Sequence, residues 1–368
     1  MKNILFIIHS LTSGGAEKVL IDTLNEFDYR KYNVSLLLLR KEGRYIDNVP
    51  KNVKIKFLHN QTILCRILNR IYKSINLYEK ITRAKIVKSI NKNYDTIISF
   101  CHGDSLKYHS EVFHKATKNI SWIHCDMWNR NKDEVIDLEK ERNYYNSLDK
   151  IVFVSNDAQK KFNKLYCDNI NKKQIVIYNF IPFDTVLEKS KKIKLEKKNK
   201  FTISTVGRLY DEKAYDRLIR VASMLKQCNF DFVIWIVGEG ILEKKLKKLS
   251  DKLKVSDKII FWGFKDNPYP FIKNSDVFIS TSKTEALPLV VCEALCLGKP
   301  IIATKTSGPT ELLSGDFGLL TDHDDKSIYN AIKSIMINCN LIEYYQKRSI
   351  EKSKIFTNEC IKLIYEIL

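Results

Sequence analysis

The sequence predicts an α/β protein built from two doubly wound domains, each a parallel sheet with helices on both faces. Three observations carry that expectation. Short continuous apolar runs recur along the chain, as strands buried on both faces require. Stretches of helical period lie between them. The alternation stops at a charged stretch, "LEKSKKIKLEKKNK" (187–200), and then begins again.

In chain order, the first set of strands is "NILFIIH" (3–9), "VSLLLLR" (34–40), "VKIKFLH" (53–59), "TIISFC" (96–101), "ISWIHC" (120–125), "IVFVS" (151–155) and "IVIYNF" (175–180). Periodic stretches at 16–27, 77–92 and 137–147 read as crossover helices between them. After the charged stretch come "FTISTVG" (201–207), "FDFVIWIVG" (230–238), "KIIFWG" (258–263), "VFISTS" (277–282), "PIIAT" (300–304) and "FGLLT" (317–321). The expected organisation is a first domain over 1–185, a charged linker over 186–200 and a second domain over 201–345. A helical segment, 346–368, could cross back to the first domain.

Composition bounds the function. The chain has 368 residues, of which 44% are hydrophobic, enough to fill two ordinary cores. No apolar run approaches the ~20 residues that cross a bilayer. The opening "MKNILFIIHSLTSGGAEK" reads as a first strand running into a helix, so Met1 is taken as the start of the mature chain. The nine cysteines form no CxxC pair and lie mostly in apolar segments, which fits reduced thiols in the cytoplasm. Cys292 and Cys296 are one helical turn apart, but no His or Cys nearby completes a zinc site. The net charge of +19 attracts phosphates, on nucleic acid, anionic lipid or small molecules. Part of that excess is compositional, since the chain is rich in Lys, Ile and Asn and poor in Gly.

The second domain holds the densest set of candidate site residues. "TVGRLYDEKAYDRLI" places Gly207 at a strand end, then Arg208, then Lys213 before a helix. Ligands of open α/β sheets bind beyond the carboxyl ends of the strands, and two cations near a helix start suit a diphosphate. "VGEG" (237–240) repeats the strand-to-turn glycine at Gly238, and "FWGFKDN" (261–267) offers Phe264 as a wall for a nucleobase. In "SKTEALPLVVCEALCLGKPIIAT" (282–304), Glu285 follows a strand and Pro288 fits the first turn of a helix that Gly298 closes. That helix start is a natural place for a phosphate. Glu293 lies about 7.5 Å along the helix axis, within reach of two vicinal ribose hydroxyls. An unpaired buried glutamate is costly, so a hydroxyl-rich ligand would account for it.

The spacing E-x7-E within "TEALPLVVCEALCLGKPII" resembles the signature of the family-4 retaining glycosyltransferases of the GT-B fold. "VGRL....K.YDRLI", "IVGEG", "FWGF", "SGPTELL" and "FGLLT" match that family in order, and "SGGAEKVL" near the N-terminus matches too. The resemblance implies two Rossmann-like domains facing each other across a deep cleft. It implies transfer of a sugar from a nucleoside-diphosphate sugar, UDP-sugar favoured, to a hydroxyl of a glycan or lipid-linked acceptor. Anomeric configuration would be retained, in bacterial capsule, lipopolysaccharide or related glycan synthesis, with no metal or other cofactor. Arg208 and Lys213 would hold the departing diphosphate. Glu285, with the backbone N–H groups of Ala286 and Leu287, would hold donor sugar and phosphate, and Glu293 the ribose. Two positions depart from the family pattern: Ala286 and Ala214 stand where glycine is common.

In the first domain, Gly14 and Gly15 sit between the first strand and the first helix, where the backbone could approach a ligand. By resemblance this loop lines the cleft near the phosphates and the acceptor. His124, at the end of "ISWIHC", is the histidine expected to face the donor sugar, and His102 is expected in the acceptor pocket. The segment 63–73, "ILCRILNRIYK", reads as a basic amphipathic helix suited to an anionic membrane surface. The expected location is therefore cytoplasmic, peripheral at the inner face of the plasma membrane. "DHD" (322–324) matches the D-x-D of metal-dependent glycosyltransferases but precedes a helical pattern, which favours capping over metal binding. Two other classes compete: a nucleotide-sugar epimerase on the same fold, and, remotely, a nucleic-acid-binding protein. The second predicts interleaved basic and aromatic residues on one surface, a pattern not visible here.

Overall fold

A computed structural model describes residues 1–12, 14–59, 77–128, 137–166, 173–193, 195 and 200–368. It divides into two compact units: Met1–Phe180 with Asn358–Leu368, and Ile181–Thr357. Each is an α/β unit built on one parallel sheet. The basic segment 63–73 lies outside the described residues. Among the described residues, no helix is long and apolar enough to cross a membrane.

The first unit has seven strands in the order β3-β2-β1-β4-β5-β6-β7. They are β1 (Lys2–Ile8), β2 (Tyr32–Arg40), β3 (Lys54–His59), β4 (Tyr94–Ser99), β5 (Ala116–Ile123), β6 (Lys150–Phe153) and β7 (Gln174–Val176). The apolar runs are continuous because the sheet is covered on both sides. Leu5 and Ile7 pack into one cluster with Leu37, Ile86 and Ile97. Ile4, Phe6 and Ile8, which alternate with them, are equally buried. A second cluster gathers Ile151, Phe153, Phe162, Tyr145 and Tyr166. The final helix, Asn358–Ile367, returns to this unit and buries Cys360, Ile361, Ile364 and Ile367. Its Tyr365 stacks on Tyr32 at 5.2 Å, and its hydroxyl accepts the Asp28 N–H at 2.8 Å.

The second unit has six strands in the order β10-β9-β8-β11-β12-β13. They are β8 (Phe201–Val206), β9 (Phe232–Val237), β10 (Ile259–Gly263), β11 (Val277–Ser280), β12 (Ile301–Thr304) and β13 (Leu319–Thr321). The expected linker differs in one respect. Residues 186–190 are the second half of a helix, Phe183–Ser190, which buries Val186 and Ser190. Five charged or polar residues around a single buried valine hid that face from a reading based on composition.

Buried imidazoles in the first unit, His109 and His59 among them, make its stability pH-dependent. His109 is fully buried, with its ring nitrogens 3.2 Å from Ser99 Oγ and 3.0 Å from Asn119 Oδ1. Burial pushes its pKa down to about 3. Burial likewise takes His59, hydrogen-bonded to Thr82 at 3.0 Å, down to about 4. Both folded-state values lie below the unfolded value of about 6.5. As pH falls through about 6.5, the unfolded chain gains protons that the folded chain refuses, so stability drops until about pH 3–4. Hydrogen exchange of β4 and β5 amides should show that loss, and His109→Gln should flatten it. An unchanged slope in that variant would contradict the assignment.

Candidate active site

The candidate site of the second unit forms where the strand order of its sheet reverses, between β8 and β11. β8 and β11 are neighbours, yet their following helices serve different layers. The helix Tyr215–Gln227 packs Leu218, Ile219 and Ala222 into a core shared with Ile328 and Ile332. The helix Leu289–Cys296 instead packs against Phe183–Ser190, Tyr269–Lys273 and Cys339–Ser353. The two turns diverge and leave room at the carboxyl edge, where open α/β sheets bind ligands.

Glycine shapes the floor. The Gly207 N–H donates to Val237 O at 3.0 Å. A Cβ on Gly238, whose φ is 144°, would lie 2.0 Å from Gly207 O. Only glycine allows these two strand ends to approach so closely. Lys213 ends a tight turn, Asp211–Lys213, and Ala214 follows in the left-handed region at φ 49°, ψ 43°. The Thr281 hydroxyl lies 2.9 Å from Lys213 O and 3.2 Å from Ala214 O, which ties the β8 turn to the end of β11.

The structure brings Lys213 and Glu285 together. The Lys213 ammonium donates to Glu285 Oε1, and Ser282 Oγ donates to the same oxygen at 2.9 Å. The loop carrying Glu285 is held elsewhere as well. Thr304 Oγ1 donates to Ser282 O at 2.6 Å, and the Gly308 N–H donates to Glu285 O at 3.0 Å. A Cβ on Gly308 would lie 2.4 Å from Ala286 O, so "SGPTELL" supplies the glycine this contact requires. Ala286 and Leu287 are buried just before the helix. Pro288 is its N-cap rather than its first helical residue, and Leu289 opens it. Phe264 follows β10 and is half-buried. Arg208 is not drawn into this cluster: it is exposed, 3.7 Å from Glu212 and over the Tyr210 ring.

Glu293 is only 2% exposed, and the Tyr269 hydroxyl donates to its Oε1 at 3.0 Å. The sequence reading accounts for this carboxylate by a hydroxyl-rich ligand, and the structure adds a partner from the same unit. A phenol of the same unit supplies a hydrogen bond, which removes part of the cost of burial. Tyr269 lies 24 positions away on another helix, a contact that no spacing along the chain signals.

In the first unit, Gly14 is the N-cap of the helix Gly15–Asn25. A Cβ there would lie 2.1 Å from Glu17 Oε2, so the room this glycine leaves is taken by the chain's own carboxylate. Thr12 Oγ1 holds the other oxygen of Glu17 at 3.0 Å. Gly15 is exposed at the first helical position. His124 directly follows β5, with its ring 4.8 Å from that of Phe100. Its Nε2 is buried and has no hydrogen-bond partner among the described residues. Burial pushes its pKa down to about 3, with His102 adding to the shift, so the ring is neutral. His102 itself lies 3.4 Å from the Cys125 sulfur.

The "DHD" residues have other partners. Asp324 caps the helix Asp325–Ile337 through the Ser327 N–H at 2.8 Å, and Asp322 pairs with Lys305 at 2.7 Å. Among the described residues, no three His, Cys, Asp or Glu side chains are grouped to hold a metal ion.

Residues 187–352 match the family model described as "Glycosyl transferases group 1". An uncharacterized glycosyltransferase of Haemophilus influenzae is 29% identical over 98% of this chain and 96% of its own length. An enzyme of Campylobacter jejuni is 26% identical over 97% and 96%. It is named N-acetylgalactosamine-N,N'-diacetylbacillosaminyl-diphospho-undecaprenol 4-alpha-N-acetylgalactosaminyltransferase. Among solved structures, Anabaena HepE in complex with UDP and glucose superposes with a TM-score of 0.80 at 19% identity, covering 100% and 99% of the two chains. These matches assign the two parallel-sheet units to the GT-B fold.

The left-handed Ala214 gives a physical reason for the glycine that the family resemblance expects there. An L-residue in that region costs about 1–2 kcal/mol, against the smaller entropic penalty of glycine. Ala214→Gly should therefore raise stability by about 0.5–1 kcal/mol in urea unfolding of the full chain. A loss of stability would refute the strain.

Proposed function

We propose that this chain is a glycosyltransferase of group 1, as the match of residues 187–352 supports, and that it moves a sugar from a nucleoside-diphosphate sugar to a hydroxyl of a glycan or lipid-linked acceptor. UDP-sugar is the favoured donor, and the anomeric configuration is retained. The observation that carries this reading is the Lys213–Glu285 pair at the reversal point of the second sheet. It sets a cation for a diphosphate beside a carboxylate for sugar hydroxyls, within the matched domain. The C. jejuni relative, which by its name acts on a diphospho-undecaprenol acceptor, supports the acceptor class. The HepE complexes with UDP support the donor class.

In this proposal the acceptor oxygen bonds to the anomeric carbon as the bond from that carbon to the β-phosphate oxygen breaks. The departing phosphate takes the hydroxyl proton, and attack on the same face preserves configuration. The transition state carries positive charge on the sugar and negative charge on the phosphate, so the main catalytic term is electrostatic. Lys213 and Arg208 stabilise the departing diphosphate, and Arg208 must swing away from Glu212 to do so. Glu285, with the N–H groups of Ala286 and Leu287, holds donor sugar and phosphate. Glu293 takes the ribose hydroxyls, with Gly207, Gly238 and Phe264 around the nucleotide. From the first unit, the neutral His124 offers its Nε2, unpartnered among the described residues, to the donor sugar. Gly14, Gly15 and His102 border the acceptor. The two cations supply the charge stabilisation, so no metal is required. A net charge of +19 and the basic segment 63–73 support a peripheral position on an anionic membrane, at the inner face of the plasma membrane. Capsule, lipopolysaccharide or a related bacterial glycan is the product.

A thermal-shift panel of UDP, GDP, ADP and their sugars tests the donor. UDP compounds should raise the melting temperature most, and Glu293→Ala should abolish the shift. A variant that responds like wild type would remove the ribose role.

Lys213→Ala should lower turnover of the cognate donor about 10²–10³-fold, as expected for loss of one group that stabilises a developing charge. NMR of the product should show the donor's anomeric configuration. Inversion would defeat same-face attack, and isomerisation of the donor without any acceptor would replace the transfer reading with an epimerase.

A further inference from the structure

We propose that His9, oriented by Asp104, accepts a hydrogen bond from the incoming acceptor hydroxyl and so forms the acceptor's anchoring point in the first unit. The inference rests on the transfer reaction proposed above. His9 directly follows β1, and Asp104 opens the helix Asp104–Ser110 that follows β4. β1 and β4 are hydrogen-bonded neighbours, with Phe6 opposite Ile98 and Ile7 opposite Ser99. β2 and β3 extend the sheet on one side of them, and β5, β6 and β7 on the other. The two side chains therefore meet at the reversal point of the first sheet, where this fold class binds ligands.

The geometry gives the imidazole a defined direction. His9 Nδ1 lies 3.4 Å from Asp104 Oδ2. The His9 backbone is fixed by the Arg40 N–H, which donates to its carbonyl at 2.9 Å. Gly103, at φ 67°, turns the chain so that Asp104 faces His9. With Nδ1–H donating to the carboxylate, Nε2 carries the ring's lone pair. Both side chains are part-exposed, at 39% and 51%, so a solute can reach them. The hydrogen bond from His9 holds the Asp104 carboxyl below its usual range, and Lys107 and Arg40 add to that shift. An exposed pair of this kind contributes about 0–1 kcal/mol to stability.

The chemistry selects the ligand. A ring nitrogen that only accepts needs a donor, and an alcohol O–H is one; an ionised phosphate is not. The acceptor hydroxyl carries one proton, so its hydrogen bond to Nε2 places the incoming acceptor before reaction. In the transfer step the hydroxyl turns that proton to the departing phosphate oxygen, which takes it as already described, and His9 neither gains nor loses a proton. Asp104 acts through His9 and is a positioning residue.

The test uses the full chain, labelled with nitrogen-15 and loaded with UDP. Ring-nitrogen NMR should show His9 protonated at Nδ1, and Asp104→Ala should shift the ring toward the other tautomer while Asp104→Glu restores it. Octyl β-glycosides of glucose, galactose, N-acetylglucosamine and N-acetylgalactosamine serve as hydroxyl probes. At least one should move the His9 signals saturably. His9→Ala and Asp104→Ala should weaken that glycoside about tenfold, the scale of one lost hydrogen bond, while UDP affinity stays within about twofold. Wild-type His9 protonated at Nε2, no glycoside moving its signals, or an unchanged glycoside affinity in His9→Ala would each overturn the proposal. Loss of UDP binding by wild type would instead defeat the donor reading, and the tautomer measurement would still decide the role of Asp104.

Discussion

Every strand in both sheets runs parallel to its neighbours, so each sheet has one edge where strands stop and turn into helices. Backbone hydrogen bonding leaves no freedom in that assignment. The residues that follow strand ends are gathered along that edge, whatever their separation in the chain. Lys213 and Glu285 are 72 positions apart and meet because β8 and β11 are adjacent. His9 and Asp104 meet because β1 and β4 are. In both units the pair falls at the reversal of strand order, where diverging helices leave the edge uncovered.

A second constraint operates at the turns. Gly238 lets its strand end lie against Gly207 more closely than any side chain permits, and Gly308 does the same for the loop that carries Glu285. Ser282, Thr281 and Thr304 add hydroxyl contacts to backbone and carboxylate. The Glu285 carboxylate is thus held before any ligand arrives, and less ordering is left for the moment of binding. Arg208 lacks such support and lies in solvent beside Glu212. The two cations of one motif therefore differ in preorganisation.

Glu293 shows the limits of reasoning from burial. Its place inside an apolar helix is unusual, and the inference that something must satisfy it is sound. The structure provides Tyr269 as one partner from the neighbouring helix. A buried charge is evidence for a partner and does not say whether that partner is protein or substrate. Gly14 teaches the same lesson on a smaller scale, since the space it leaves is occupied by Glu17.

The sequence by itself determined the α/β class, the two sheets, most strand positions and the gathering of Gly207, Lys213, Gly238 and Glu285 at strand ends. These follow from local rules, because burial on both faces writes continuous apolar runs and turns write glycine. Only the tertiary structure decided strand order, and with it which strand ends are neighbours. It alone decided that Lys213 bonds Glu285 while Arg208 does not, that Tyr269 reaches Glu293, and that His9 faces Asp104. It also placed residues 358–368 with the first unit, through the packing of Tyr365 on Tyr32 and Phe27. The reason is physical: periodicity along a chain encodes which face of an element is buried, whereas partners across elements depend on how those faces pack, and no spacing in the sequence records that.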